Sequence, residues 1–340
     1  MKLIDLDQTA FGDLIEPHRR ELQAHCYRML GGVQDAEDAV QETFLKAWLR
    51  RETYEQRAAL RAWLYKIATN TCLDRLRRQP RRYVPLTREA RSSADEPIPA
   101  PVYEPIWLEP YPDTYLDVDG DPEAQHALRE TIRMAFIALL HRLPPRQRAV
   151  VILQDVVGWK ASEIADALDT TVLAVKSALH RARATLAAAP ETHEELAQSD
   201  MKQHQIETYM RAWEDADIPG LIALLTDDAT FSMPPIPSWY QGRESIRALI
   251  GKTVFAGNAE GRWRMRRTRA NRQVAFGLYR IGDQPNTYHA YGIQLISARE
   301  GQIDDITTFR SPGLFRSFGL PEVLSAPEEI SPHTLDNRSP

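Results

Sequence analysis

Two amphipathic helical stripes of opposite charge, set end to end between Asp35 and Arg82, constrain this chain more than any other feature. The stretch reads DAEDAVQETFLKAWLRRETYEQRAALRAWLYKIATNTCLDRLRRQPRR. In its first part Ala36, Ala39, Val40, Phe44, Ala47 and Trp48 recur at helical spacing. Asp35, Glu37, Asp38, Gln41 and Glu42 crowd the opening turns, where carboxylates are stabilised by the helix dipole. In the second part Leu60, Trp63, Leu64, Ile67, Ala68, Cys72 and Leu76 form the apolar stripe, and the charge turns basic through Arg75, Arg77, Arg78, Arg81 and Arg82. Trp48 and Trp63 belong to the stripes and are expected in the core. The outer face of the first helix is acidic and available. An acidic helix followed closely by a basic one can meet two partners, one of them a polyanion.

The length of 340 residues favours two or three domains, and 43% hydrophobic with 26% charged residues is the composition of a soluble globular protein. The opening MKLIDLDQTAFGDLIEPHRR has acids where a signal peptide needs an apolar core. No apolar run is long enough to span a bilayer, so a cytoplasmic protein without membrane contact is expected. Cys26 and Cys72 lie in helical stripes without zinc-site spacing, which predicts buried reduced thiols, no metal and no cofactor. A net charge of -5 argues against a chain that grips DNA unaided.

Before the charged pair, Asp7 to Gly31 carries apolar residues at mixed helical spacing and predicts a helical hairpin, broken at Gly31-Gly32. After it, residues 85–123 are rich in proline and acids and predict a linker that buries no core of its own. Its densest patch is WLEPYPD, starting at Trp107. Trp107 and Tyr111 either pin the linker to a neighbouring domain or act in a larger assembly, and Asp113, Asp117, Asp119 and Asp121 suit a positively charged channel. From Ala124 helical periodicity returns through Leu128, Ile132, Phe136, Leu140 and Leu143, until Pro144-Pro145 stops one helix and seeds the next. A short helix from Ser162 to Leu168, a turn at Asp169-Thr170 and a longer helix from about Thr171 have the punctuation of a helix-turn-helix. Val172, Val175, Leu179 and Ala182 are expected inward, leaving Lys176, Ser177, His180, Arg181 and Arg183 outside.

YRMLGGVQDAEDAVQETFLKAW (Tyr27 to Trp48) with RAWLYKIATNTCLDRLRR (Arg61 to Arg78) resembles domain 2 of bacterial sigma factors of the extracytoplasmic-function type. The resemblance rests on the acidic helix coupled to the pattern Asn70, Asp74, Arg77, Arg78. It implies that Asp35, Glu37, Asp38, Gln41 and Glu42 dock on core RNA polymerase. It also implies that Asn70, Asp74, Arg75, Arg77 and Arg78 handle the minus-ten element of promoter DNA. The helix-turn-helix resembles sigma domain 4, whose second helix enters the major groove of the minus-35 element. There Thr170 and Thr171 suit phosphate contact, and Lys176, Ser177, His180, Arg181 and Arg183 suit base edges or backbone. Asp169 stands where the turn often has glycine, and Lys176 where the subgroup often has asparagine. WLEPYPD resembles a motif of the large subgroup with an extra C-terminal domain.

Residues 190–200 read as a polar joint. Beyond it, helical and then alternating runs predict three helices and a curved antiparallel sheet, with a first strand at Thr230 to Met233. This part resembles the NTF2-like, SnoaL-type cone. Relatives of that fold include isomerases and cyclases, whose chemistry needs a base facing a hydrogen-bond donor in an apolar cone. Asp215, Asp227, His289 and Asp305, with Tyr240 or Tyr291, are the residues available, and they form no defensible dyad by spacing. Fold alone carries no activity. Trp213, Trp239, Tyr240, His289 and Tyr291 are the expected lining of a pocket for a small ligand. Ser311 to Pro321 either closes the cone or touches a sigma domain, and residues 322–340 read as a disordered tail.

The expected whole is multidomain. Domain 2, a helical bundle, spans residues 1–84 and domain 4, the helix-turn-helix, spans 124–189; both are all-α, and an α+β NTF2-like cone follows over 201–321. The expected role is an alternative sigma factor, not an enzyme, regulated by contact of its own cone with the sigma domains. The alternative is a helix-turn-helix regulator that binds DNA without polymerase and carries a ligand-sensing or isomerase-like cone.

Overall fold

The computed structural model describes residues 3–54, 59–78, 82–85, 89–103, 107–116, 131–188 and 201–325. Helix α1 (Gln8–Ile15) is capped by Asp7, whose Oδ1 accepts from the Ala10 amide at 2.8 Å. Helix α2 (Arg19–Leu30) ends where Gly31 turns left-handed at φ 75°. A Cβ at Gly31 would collide with Leu108 of the linker and with His141, so glycine here permits both a backbone turn and a close approach.

The two charged stripes become α3 (Val33–Leu49) and α4 (Leu60–Leu76). Ala36, Ala39, Val40 and Ala47 face Leu64, Ile67, Ala68 and Cys72 in one core, with Phe44, Trp48, Trp63 and Leu76 at its margin. Trp48 meets Phe11 edge-on at 5.4 Å, but it and Trp63 are half-buried at the edge of the core and not fully inside it as expected. Both cysteines are buried, and burial beside Cys26 pushes the Cys72 thiol up, so it stays protonated.

Helix α5 (Met134–Arg142) stops at Leu143-Pro144, and α6 (Pro145–Val151) starts on the second proline as expected. The predicted earlier start of α5, with Leu128, lies outside the described residues. Helix α6 runs on into one π turn, Ile152–Val156. The helix-turn-helix follows as α7 (Ala161–Ala167) and α8 (Val172–Ala187). Asp169 takes the left-handed turn position at φ 47°, so an aspartate does here what glycine does elsewhere.

The C-terminal unit opens with α9 (Gln203–Glu214) and α10 (Ile218–Ala223). Then come β1 (Leu225–Ser232), β2 (Trp239–Gln241), α11 (Arg243–Lys252), β3 (Trp263–Ala270), β4 (Gln273–Ile281), β5 (Thr287–Arg299) and β6 (Gln302–Phe309). It closes with α12 (Leu314–Ser317) and β7 (Val323–Ser325). The sheet order is β2-β1-β6-β5-β4-β3, with β7 on β5. The expectation of a purely antiparallel sheet needs correcting, because β1 and β6 run parallel. Strand β1 also begins at Leu225, earlier than the sequence suggested: its pairing with β6 breaks between Leu225 and Thr230, and exposed Asp227 hides the alternation. The expected disordered tail from 322 is corrected at its start, where Val323–Ser325 pairs with Thr287, Tyr288 and His289 of β5; residues 326–340 lie outside the described residues.

Two apolar cores result. One fills the cone between α9, α10, α11 and the inner sheet face. The other runs from the sigma-like helices through Leu108 and Tyr111 onto Ala275, Tyr279, Ile293, Leu295 and Phe315. The outer sheet face of the cone therefore completes the core of the helical half. Ser311 to Pro321 contributes Leu314, Phe315 and Phe318 to that face, and Ser317 hydrogen-bonds Tyr115 of the linker.

Candidate polymerase and nucleic-acid interfaces

The linker motif is the meeting point of all three units. Trp107, Leu108 and Tyr111 are buried, and each such side chain is worth about 1.5–3 kcal/mol of apolar burial. Tyr111 lies 4.5 Å from the Tyr27 ring, and the Tyr27 hydroxyl donates to the Glu109 carbonyl at 2.6 Å. Fully buried Asn271, in the β3–β4 turn, supplies the cone's share. Its Oδ1 accepts from the Tyr111 amide at 2.7 Å, and its Nδ2 donates to the Ile132 carbonyl at 2.6 Å and the Tyr27 hydroxyl at 3.2 Å. One side chain thus ties linker, domain 2 and the start of domain 4. Asp113 accepts from the Arg272 amide at 2.8 Å and from Arg269 at 3.2 Å, so it is not the free channel carboxylate expected. Asp117, Asp119 and Asp121 lie outside the described residues. Of the two readings of Trp107 and Tyr111, the fold realises the pin.

On α3 the acidic residues divide. Asp35 pairs with buried Arg82 at 2.5 Å, Arg82 donates to the Trp107 carbonyl at 2.7 Å, and Glu109 accepts from the Val33 amide at 2.8 Å. Burial raises the Glu109 carboxyl although Arg82 opposes it. Glu37 takes the Tyr115 hydroxyl at 3.2 Å. Asp35 and Glu37 therefore serve the linker junction, while Asp38, Gln41 and Glu42 stay on the outer side. Sequence periodicity missed Leu45 and Leu49 beside them, 57% and 67% exposed one helical turn apart. Their position off the apolar stripe was the available signal. Glu42 pairs with Lys46 at 2.8 Å and Arg75 at 3.0 Å, and these hydrogen bonds, Lys46 first, hold its carboxyl low. The acidic and basic helices thus partly neutralise one another along their shared edge.

On α4 Asn70 does not stand free. Its Nδ2 donates to the Ala167 carbonyl at 3.2 Å, and Lys66 Nζ donates to the Asp166 carbonyl at 2.9 Å. These are end carbonyls of α7, which have no donor within their own helix, so α4 caps the C-terminus of a domain 4 helix. A cleft of about 390 Å³ lies elsewhere, against Arg91 to Glu96; the one between these two domains is larger, about 770 Å³, and is lined by Lys46, Arg50, Trp63, Asn70 and Trp159. Asp74 pairs with Arg77 at 2.7 Å on the surface, and Arg78 is exposed. Arg81 lies outside the described residues.

On α8 Val175, Ala178, Leu179 and Ala182 face inward, while Lys176, His180 and Arg181 are exposed and Ser177 is half-buried. Val172, expected inward, is 41% exposed because it lies at the helix start beyond the reach of α7. Thr171 is the N-cap, its Oγ1 accepting from the Ala174 amide at 3.2 Å, so its hydroxyl is already engaged. Thr170 is half-buried just before it. Arg183 pairs with Asp155 at 3.2 Å.

The cone has a cavity of about 180 Å³ lined by Ile98, Met233, Ile236, Trp263, Tyr291 and Arg310 among others. Of the five expected lining residues it includes only Tyr291. Trp213 is buried against Phe255 and Trp263, Trp239 donates to the Glu89 carbonyl at 2.9 Å, Tyr240 is buried, and His289 is exposed at the strand margin. The carboxylates proposed as bases are engaged elsewhere: Asp227 with Arg243 at 2.9 Å, and Asp305 with Thr307 at 2.9 Å and Thr230. Asp215 ends α9. Among the described residues no helix is long and apolar enough to cross a membrane, and no group of three His, Cys, Asp or Glu could hold a metal.

Known families match this layout segment by segment. Residues 14–82 match Sigma-70 region 2, residues 133–186 match Sigma-70 region 4, and residues 206–306 match the SnoaL-like domain. Together they define a sigma factor of RNA polymerase with an appended cone. Over 315 residues the chain is 42% identical to the ECF RNA polymerase sigma factor SigG of Mycobacterium tuberculosis, covering 91% of this chain and 83% of the relative. It belongs to the extracytoplasmic-function (ECF) sigma factors with a SnoaL-like C-terminal domain. The ECF sigma factor SigW of Bacillus subtilis is 30% identical over 53% of this chain and 88% of its own length. The crystal structure of M. tuberculosis SigJ has the same overall fold, with a TM-score of 0.57 at 23% identity over 91% of this chain and 99% of that one. The chain is thus an alternative sigma factor, and sigma factors bind core RNA polymerase and promoter DNA.

Proposed function

We propose that this sigma factor is held closed by its own cone and linker, with the minus-ten face of domain 2 sheltered until polymerase binds. The observation that carries this reading is the capping of α7 by Lys66 and Asn70, which sets domain 4 against the helix assigned to separated promoter strands. Asn271 and Asp113 join cone, linker and both sigma domains around that contact. In the open state Asp38, Gln41 and Glu42, with Leu45 and Leu49, meet core polymerase. Asn70, Asp74, Arg75, Arg77 and Arg78 meet the minus-ten strands, and the exposed face of α8 enters the minus-35 groove. Such work on polymerase belongs in the cytoplasm, and no covalent chemistry on this chain is required.

Run-off transcription with purified core polymerase and limiting sigma tests the reading. Asn271→Gly keeps the left-handed backbone at φ 52° and removes only the side chain. Three hydrogen bonds at about 1 kcal/mol each then no longer favour the closed form, and output is expected to rise about tenfold or more. Unchanged output from this variant and from a chain ended after Ser199 would refute autoregulation. Duplex binding of equal strength and specificity without polymerase would favour a simple DNA-binding regulator.

A further inference from the structure

The recognition helix presents an apolar side chain at the point farthest from its core. Leu173 is 74% exposed, more than any other large apolar residue described except Tyr103. At 100° per residue, the buried stripe of Val175, Ala178, Leu179 and Ala182 points one way and Leu173 the other. Ser177 and His180, four and seven residues on, share its line, and Lys176 flanks it. Val172 extends the apolar spot to one side.

A single exposed leucine is ordinary on a protein surface, so exposure alone decides nothing. Its place decides. Leu173 is the second residue of α8, two positions after the N-cap Thr171, and the N-terminal residues of a recognition helix are those that contact base edges. Polar neighbours suited to phosphates and base edges surround it. The major groove offers one apolar group along its edge, the 5-methyl of thymine.

We propose that Leu173, flanked by Val172, is a specificity-determining residue that reads a thymine methyl in the minus-35 element. Its Cδ methyls cover the thymine methyl and exclude water from it, while Lys176, His180 and Arg181 supply polar contacts to either side. The proposal rests on α8 being the minus-35 reader.

The test uses holoenzyme assembled with the full chain. Each minus-35 thymine of a responsive promoter is replaced in turn by deoxyuridine, which deletes the methyl and leaves every hydrogen-bonding group in place. At one or two positions the substitution is expected to weaken binding about fourfold, the weight of one buried methyl-sized group. Leu173→Ala should lose the same factor on the thymine promoter and become indifferent to deoxyuridine at those positions, whereas Leu173→Met should keep the sensitivity. If deoxyuridine costs the wild type nothing anywhere, or Leu173→Ala stays as sensitive as wild type, the inference falls while the minus-35 footprint stands. If Arg181→Ala leaves that footprint unchanged and Leu173→Ala does too, the assignment of α8 falls, and this inference with it.

Discussion

The two helices assigned to promoter DNA differ in one respect: α4 is covered at one point by the end of α7, and the outer face of α8 is not covered. Helix α4 has its Lys66 and Asn70 engaged by the end of α7, whereas α8 turns Leu173, Lys176, His180 and Arg181 to solvent. The covered face belongs to the helix expected to hold separated strands, and the open one to the helix expected to read intact duplex. If the closed form proposed above regulates this chain, control acts on strand separation and leaves duplex recognition free. The chemistry of the covering contact agrees. Helix-end carbonyls accept from ammonium and amide groups, and phosphate oxygens compete for the same donors. The α4 donors engaged by the α7 carbonyls are thus the ones that promoter DNA, on the proposed reading, would take over.

The largest effect expected to break this arrangement is acid. Domain 2 buries His25, its ring nitrogen 2.9 Å from Thr69 Oγ1, and burial, then Arg28 and Arg61, depress it to about 3. Domain 4 buries His141, which burial and Arg148 hold well below the ordinary value. Both folded values are depressed, so below the usual histidine range the unfolded chain binds more protons than the folded one. Stability is then full at neutral pH and falls as pH falls, by about 2 kcal/mol from His25 between pH 8 and pH 5, with His141 adding in the same direction. Urea midpoints across that range check this. His25→Gln and His141→Gln should each flatten the slope, and a single shared transition would mean that the covered and open regions melt as one body.

Next in size is the buried guanidinium between the domains. Arg148 has no exposure and donates to the carbonyls of Leu140 at 3.1 Å, Leu143 at 3.3 Å and Met29, the last belonging to α2. Arg148→Ala leaves several buried carbonyls without a donor and should cost about 3 kcal/mol or more in urea unfolding. Small-angle scattering should show the particle expanding as domain 4 loosens from domain 2. A compact variant of unchanged stability would show that the closed form is held by the cone alone.

What could be read from the sequence follows the range of the interaction. The stripes of α3 and α4, the proline start of α6 and the left-handed Asp169 are local signals, set by residues within a few positions of one another. The linker patch holding Tyr111 stood out as a possible pin, but what it pins to was not legible, because Tyr27 and Asn271 lie 84 and 160 residues away, and Asn271 itself belongs to no periodic pattern. Asp35 shows the cost of this at the site. It reads as one more acid in an acidic helix, but Arg82, 47 positions later, turns it inward. The same holds for Trp239, which looks like a pocket wall until the Glu89 carbonyl is brought to it across 150 residues. The parallel pairing of β1 with β6 is likewise invisible in either strand alone.

The smallest effect is the most useful for locating what covers α4. Lys66 also approaches Asp169 at 3.6 Å, with the carboxylate side chain 84% exposed. An ion pair so open to water is screened and contributes about 0–1 kcal/mol, whereas the bonds to the Asp166 and Ala167 carbonyls satisfy helix-end groups that have no donor within their own helix. Asp169→Asn keeps a residue tolerant of the left-handed turn and removes the charge. Thermal stability should change by less than about 0.5 kcal/mol, and access of a single-stranded minus-ten oligonucleotide to α4 should not change at low or high salt. A marked rise in access at low salt would mean that the shelter is electrostatic and lies in the turn. No change leaves it with the helix-end carbonyls, and then the release of α4 requires α7 to move as a unit, taking α8 with it.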